Sequence, residues 1–285
     1  MSLRNAAFAA LLLAPLVSAC ERNNPAEPVT DRPQFIVNGT IDTNNTYANV
    51  GAFIVKRLSD GQIFPICTGT LIAPTVFLTA AHCTLFFQLD LATEFAAYVT
   101  FENPIPFGAL TAQNTALVSV TQVVTNPAYN QSQSDAGDIG VLVLSRTRGV
   151  TPAVLPSAGL LDGLQATGAL KTATFTAVGY GAQDRVTGGG TPFFTDQNPI
   201  PRRYAFSSFN SLGPGYLRLS QNSATGNGGT CYGDSGGPNF LPVAGKLVLV
   251  ATTVTGDNVC RSTNVDYRLD TKSARAFLSG FVALP

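Results

Sequence analysis

Short apolar runs rich in β-branched residues recur along most of this chain. In the first half they are Gly51 to Val55, Thr70 to Ile72, Val76 to Leu78, Tyr98 to Phe101, Leu117 to Val124 and Ile139 to Leu144. Past the middle come Thr172 to Tyr180, Tyr204 to Phe209, Tyr216 to Leu219, Lys246 to Val254 and Val265 to Leu269. Gly, Pro, Asn or Asp bounds each run, and none has helical spacing. Runs of this length and punctuation predict strands, and so many of them predict an all-β sandwich or barrel. Periodicity alone does not separate those two. One helix is predicted, at the C-terminus. There Ala274, Phe277, Leu278 and Phe281 fall at i, i+3, i+4 and i+7, with Asp270 or Thr271 as N-cap. No internal repeat is visible.

The first residues follow a different pattern. Arg4 is a weak positive region, and Ala6 to Leu16 is an apolar stretch. It is shorter than the roughly 20 residues that span a bilayer. With the small residues Val17-Ser18-Ala19 after it, the segment 1–19 reads as a signal peptide. Cleavage after Ala19 leaves Cys20 first, and Leu16-Val17-Ser18-Ala19-Cys20 resembles the bacterial lipoprotein signal, in which that Cys is lipid-modified. Residues 20–35 hold Glu21, Arg22, Asn23, Asn24, Pro25, Pro28 and Pro33 and read as a tether or propeptide. No other stretch looks transmembrane.

Composition adds three constraints. With 45% apolar and 12% charged residues, 27 Gly and 18 Pro, the chain suits many turns better than long helices. Lys plus Arg balances Asp plus Glu, 17 against 17, so no charge excess points to nucleic acid. The run Val186-Thr187-Gly188-Gly189-Gly190-Thr191 reads as a surface loop. It lacks the strand–loop–helix context and the Lys of a phosphate cradle.

Candidate chemistry centres on two segments. The only histidine, His82, sits in Thr79-Ala80-Ala81-His82-Cys83. Imidazole is the side chain whose ordinary pKa suits a general base near neutrality. The second segment is Gly233-Asp234-Ser235-Gly236-Gly237-Pro238. A hydroxyl attacks a carbonyl only if its proton leaves as the bond forms, so Ser235 needs a base such as His82. The flanking glycines allow a sharp turn and close substrate approach. A base of this kind needs a carboxylate to hold its tautomer. Asp138 opens the apolar run at Ile139, where a loop enters the core. Asp135 lies among Ser134, Ala136 and Gly137 and reads as a solvated turn residue, so Asp138 is the preferred partner.

Together these segments resemble the signatures of the chymotrypsin/trypsin-like serine peptidase family. The order His, Asp, Ser is the family's, and Asp138-Ile139 matches its Asp-Ile before an apolar strand. The resemblance runs from Ile36 to about Leu284. It implies two six-stranded antiparallel barrels, here 36–153 and 154–285 with the C-terminal helix, and an active site in the cleft between them. It implies His82, Asp138 and Ser235 as the triad, and the N–H groups of Gly233 and Ser235 as the oxyanion hole. It implies disulfides Cys67–Cys83 and Cys231–Cys260, which fit export to an oxidising compartment and leave Cys20 as the odd cysteine. Ile36-Val37-Asn38-Gly39 resembles the family's mature amino terminus, where a freed Ile36 ammonium would pair with Asp234. Phe35, in place of the usual Arg or Lys, leaves the activating protease open. Gly179-Tyr180-Gly181 resembles the family's Gly-Trp-Gly and is taken as structural.

The family usually has Ser-Trp-Gly near Val254-Thr255-Gly256. Val254 lacks the hydroxyl that supports the catalytic Asp, and Thr253 or Thr255 are the substitutes. In the family the residue six before the nucleophile lies at the base of the primary pocket, so the resemblance implies Gly229 there, with Thr230 beside it. Without a carboxylate there, an apolar residue is expected before the scissile bond. Thr255 and Gly256 would line the pocket, Gly256 leaving one wall open, and Val265 would narrow it. A shift of one residue would instead bring Asp266 in. Protein or peptide substrates, an activating protease, a lipid anchor and a monomeric state complete the expectation, with no cofactor and no metal. Two other functions compete: a non-catalytic binding or adhesion module on the same scaffold, and a non-peptide acyl hydrolase.

Overall fold

A computed structural model describes residues 36–106, 110, 116–131, 133–182 and 199–285. The signal segment, Cys20, the 20–35 tether, Phe35 and the loop Val186 to Thr191 lie outside the described residues.

The first barrel is closed from six strands: β2 (Val50–Arg57), β3 (Ile63–Ala73), β4 (Val76–Thr79), β5 (Phe95–Thr100), β6 (Leu117–Thr125) and β7 (Gly140–Leu144). Hydrogen bonding runs β2-β3-β4-β7-β6-β5 and back to β2, all antiparallel. Closure leaves no open edge. Phe53, Leu71, Phe77, Leu78, Val99, Val118 and Leu142 of its strands are buried in the main hydrophobic core.

The second barrel uses β8 (Thr174–Gly179), β9 (Arg203–Leu212), β10 (Tyr216–Ser220), β11 (Pro238–Val243), β12 (Lys246–Gly256) and β13 (Thr263–Arg268). Its order is β9-β10-β13-β12-β11-β8, closed by β8 on β9, and the short β1 (Thr40–Ile41) adds to β9 from outside. Every predicted run falls on one of these strands. Two strands escaped prediction. β1 has only two residues, and β11 begins inside Gly-Gly-Pro and contains Pro242, which hides its pattern.

The C-terminal helix α3 covers Lys272–Leu278. Thr271 caps it, its hydroxyl accepting from Ala274 N at 3.2 Å. Asp270, the other cap candidate, instead accepts from Leu161 N and pairs with Arg268. Ala274 and Leu278 are buried, while Phe281 lies past the last turn and packs its ring 5.2 Å from that of Phe277. Two short helices had no sequence signal, α1 (Ala81–Phe86) and α2 (Leu160–Ala166). Among the described residues no helix is long and apolar enough to cross a membrane.

Candidate active site

His82 opens α1 directly after β4. Its main-chain N–H donates to Asp138 Oδ1 and its ring Nδ1 meets Asp138 Oδ2, both at 2.9 Å. One carboxylate thus fixes the start of the helix and the ring orientation together. With a proton on Nδ1, the lone pair of Nε2 is free to accept another. The imidazole remains 30% exposed while the carboxylate is nearly covered, so the base is reachable and its partner is not.

Asp138 sits in the turn that leads into β7. That turn is held from both sides. Asn126, buried and not singled out in the sequence, donates Nδ2 to Gly137 O at 2.9 Å. Asp135 accepts from Tyr267 Oη and Ser273 Oγ of the second barrel and its helix. The expectation that Asp135 is a free solvated turn residue is therefore corrected. It is half-buried and ties the Asp138 turn to β13 and α3.

Ser235 comes from the opposite barrel, between β10 and β11. The loop is pinned through Thr68 of β3. Thr68 N donates to Ser235 O at 2.9 Å, and Thr68 Oγ1 donates to Gly233 O at 2.9 Å. Thr68 follows Cys67, which is bonded to Cys83, which follows His82. A short covalent and hydrogen-bonded path therefore joins Asp138, His82 and the Ser235 loop. The second disulfide, Cys231–Cys260, is also formed. Gly236 has φ +82°, and a Cβ there would strike Thr79 Oγ1 and Thr68 O, so only glycine fits this turn. The N–H groups of Gly233 and Ser235 donate to no acceptor among the described residues. Ser235 Oγ and His82 make no hydrogen bond to each other among the described residues. Such contacts are often long before substrate arrives.

Asp234 points the other way, into the protein. It is fully buried, taking Gly181 N on Oδ1 at 2.8 Å and Cys231 N on Oδ2 at 2.9 Å. Burial pushes its pKa up to about 7, against those two backbone donors. A Cβ at Gly179 or Gly181 would collide with the Asp234 carboxylate. The two glycines of Gly-Tyr-Gly thus make room for this one side chain. Ile36 is buried in the intact chain, makes no hydrogen bond to Asp234 and has φ +38°, an unusual value for a β-branched residue. Its neighbour Val37 packs on the Cys231–Cys260 disulfide and accepts from Gly229 N at 3.0 Å.

A cavity of about 150 Å³ opens beside Ser235, lined by Thr230, Cys231, Tyr232, Thr253 to Asn258 and Cys260. Of the predicted pocket residues it takes in Thr230, Thr255 and Gly256 but not Gly229 or Val265. Gly229 packs on the Gln221 side chain, which a Cβ would strike. Val265 pairs with Thr255 and Arg218 in the sheet, and it is the alternate positions Asn264 and Asp266 that reach the side chains behind the cavity. The substitution of a Thr hydroxyl for the missing serine is also corrected. Thr253 Oγ1 donates to Asp266, and neither Thr253 nor Thr255 bonds Asp138. A second cleft runs from Val254 and Thr255 past His82 and Asp138 to Tyr129 and Tyr216. The one grouping of candidate metal ligands among the described residues is Cys67, His82 and Cys83, and both sulfurs there are spent in the disulfide.

Comparison with known proteins bears on this geometry. The family model described as Trypsin matches residues 40–277. The chain belongs to the trypsin family. It is 29% identical to chymotrypsin-like elastase family member 1 of Canis lupus familiaris over 246 residues, 82% of this chain and 88% of that protein. The same protein of Felis catus is 29% identical over 246 residues, covering 82% and 85%. This trypsin-family member is a serine-type endopeptidase, a hydrolase acting on protein or peptide substrates. Its disulfides fit an extracytoplasmic setting.

Proposed function

We propose that this peptidase works through His82, Asp138 and Ser235 and cleaves after an apolar residue. The observation that carries the reading is the double clasp of His82 by Asp138, facing the nucleophile loop that Thr68 fastens from the other barrel. Ser235 Oγ attacks the scissile carbonyl while His82 Nε2 takes its proton. Asp138 holds the tautomer and stabilises the imidazolium that forms. The N–H groups of Gly233 and Ser235 receive the oxyanion, and losing one such donor typically costs about 3 to 4 kcal/mol. His82 then returns the proton to the leaving amine. Water repeats the sequence on the acyl-enzyme and regenerates Ser235.

The proposed active form begins at Ile36, after cleavage of the Phe35–Ile36 bond. Asp234 supports this. It is a buried carboxyl with an N–H on each oxygen and no cation on it among the described residues, the setting that a new ammonium would complete. Apolar preference rests on the small cavity beside Ser235 and on Thr230 at its inner end.

The test is kinetic. In enzyme that begins at Ile36, Ser235→Ala and His82→Ala should each lower kcat by a factor approaching ~10⁶, because the groups act as a unit. Folding of each variant is checked by circular dichroism. A folded His82→Ala enzyme with wild-type turnover would overturn the mechanism. A binding module on this scaffold would show no turnover in any form.

A further inference from the structure

Behind the cavity next to Ser235 lies a buried chain of polar side chains. Thr230 Oγ1 donates to Asn264 Oδ1 at 2.6 Å, and Asn264 Nδ2 donates to Asn239 Oδ1 at 3.4 Å. Asn239 Nδ2 then donates to Asp266 Oδ1 at 2.6 Å and to Thr253 Oγ1 at 3.0 Å. Thr253 Oγ1 closes the set by donating to Asp266 Oδ1 at 3.2 Å. Thr230 and Thr253 line the cavity. Both therefore lead to Asp266, which has no exposure at all, like Asn239 and Asn264.

The bonding of Asp266 is lopsided. Both donors converge on Oδ1. Oδ2 is buried and has no partner. An ionised carboxylate with one bare oxygen in a dry site is costly. A carboxylic acid with its proton on Oδ2 has one acceptor oxygen, which is what the two donors address. Asp234 differs, because there each oxygen takes an N–H.

Asp257 lines the same cavity, but its two oxygens are taken up by its own loop and by Gln221, accepting from Arg261 N, Ser262 N, Thr263 N and Gln221 Nε2. Thr253 faces Asp266 from β12, Asn239 from β11 and Asn264 from β13, and none of them titrates. Leu217 is its register partner on β10 and is apolar. On β13 itself, Arg268 is engaged by Asp270 and Asp162. Burial also holds the Asp266 carboxyl well above the usual range.

We propose that Asp266 is a specificity-determining residue of this peptidase, a carboxyl behind the cavity wall that is uncharged at neutral pH and anionic in base. The proposal rests on the assignment of the cavity next to Ser235 as the primary pocket. In the acid form Asp266 puts no charge behind the wall formed by Thr230 and Thr253. Once Oδ2 loses its proton, a Lys or Arg side chain in the cavity offsets the negative charge behind that wall. The preference then widens from apolar to basic residues as pH rises.

The experiment profiles peptide libraries with the active enzyme at about pH 6 and about pH 9, a span over which a raised carboxyl can titrate. The ratio of kcat/KM after Arg or Lys to kcat/KM after Leu or Val should rise about tenfold or more. In Asp266→Asn the ratio should not change with pH. A flat ratio in the wild type, or a dominant basic preference already at about pH 6, would overturn the proposal. A second arm needs neither turnover nor a change at Asp266. Binding of fluorescent 4-aminobenzamidine to Ser235→Ala should tighten about tenfold over the same range. Binding that does not tighten contradicts the proposal. Tightening with no peptide cleaved by the wild type would leave Asp266 in its role and remove the peptidase mechanism instead.

Discussion

Thr68 carries more of the site than its type suggests. Its N–H holds Ser235 O, and its hydroxyl donates to Gly233 O while accepting from Tyr180 N at 3.3 Å. The Gly233 carbonyl fixes the plane of its peptide with Asp234, and Gly233 N is one proposed oxyanion donor. Thr68→Val keeps the shape and the N–H but strands two buried polar groups, each costing about 1 to 3 kcal/mol. We expect a lower melting temperature and a fall in kcat/KM of about tenfold to a hundredfold, less than the 10² to 10³ lost with a whole oxyanion donor. Unchanged kcat/KM would show that Gly233 is held by its own turn. His82, Asp138 and Ser235, the proposed triad, stand out in the sequence because their neighbours are distinctive. Thr68, Asn126 and Asp135 do not. A single Thr, Asn or Asp gains such a role only when the fold brings a distant partner to it, and no local spacing encodes that.

Strands were legible because each buries apolar residues on a short, punctuated run. What the runs could not show is how the two barrels are fastened. One fastener is Arg202, fully buried just before β9. Its Nε donates to Asp42 Oδ2 at 2.9 Å, Nη1 to Val50 O and Tyr180 Oη at 3.0 Å, and Nη2 to Asn45 Oδ1. Tyr180 Oη in turn donates to Glu102 O at 2.9 Å, and burial lifts its pKa to about 12, so it stays a donor. The second role of Gly-Tyr-Gly is thus to seat this tyrosine beside the guanidinium. Arg202→Met should destabilise the protein by about 3 to 5 kcal/mol, since Asp42 would be left buried and uncompensated. Urea unfolding measures this. The double variant with Asp42→Asn should recover part of the loss, and no recovery would mean that the pair is not the cause.

At the scale of the whole molecule, Asp234 couples stability to processing. Its folded pKa of about 7 lies above the ordinary carboxylate value. The native state therefore holds a proton that the unfolded chain releases, and stability falls as pH rises from about 4 to about 7. For a fully buried group, three units correspond to on the order of 4 kcal/mol. Asp266 acts in the same direction. In the form beginning at Ile36, an ammonium partner should lower the Asp234 pKa and remove its share, while that of Asp266 remains. The uncleaved chain should thus lose more stability across that range than the processed one in urea titrations. Equal losses would contradict the pairing of Ile36 with Asp234.

The central claim is that Ser235 is a nucleophile activated by His82. Covalent labelling tests it most directly. A fluorophosphonate should react stoichiometrically with enzyme that begins at Ile36, and mass spectrometry should place the adduct on Ser235. His82→Ala should suppress the reaction, and the uncleaved chain should react far more slowly. Folded, processed protein that takes up no label, or that carries it on another residue, would contradict the account.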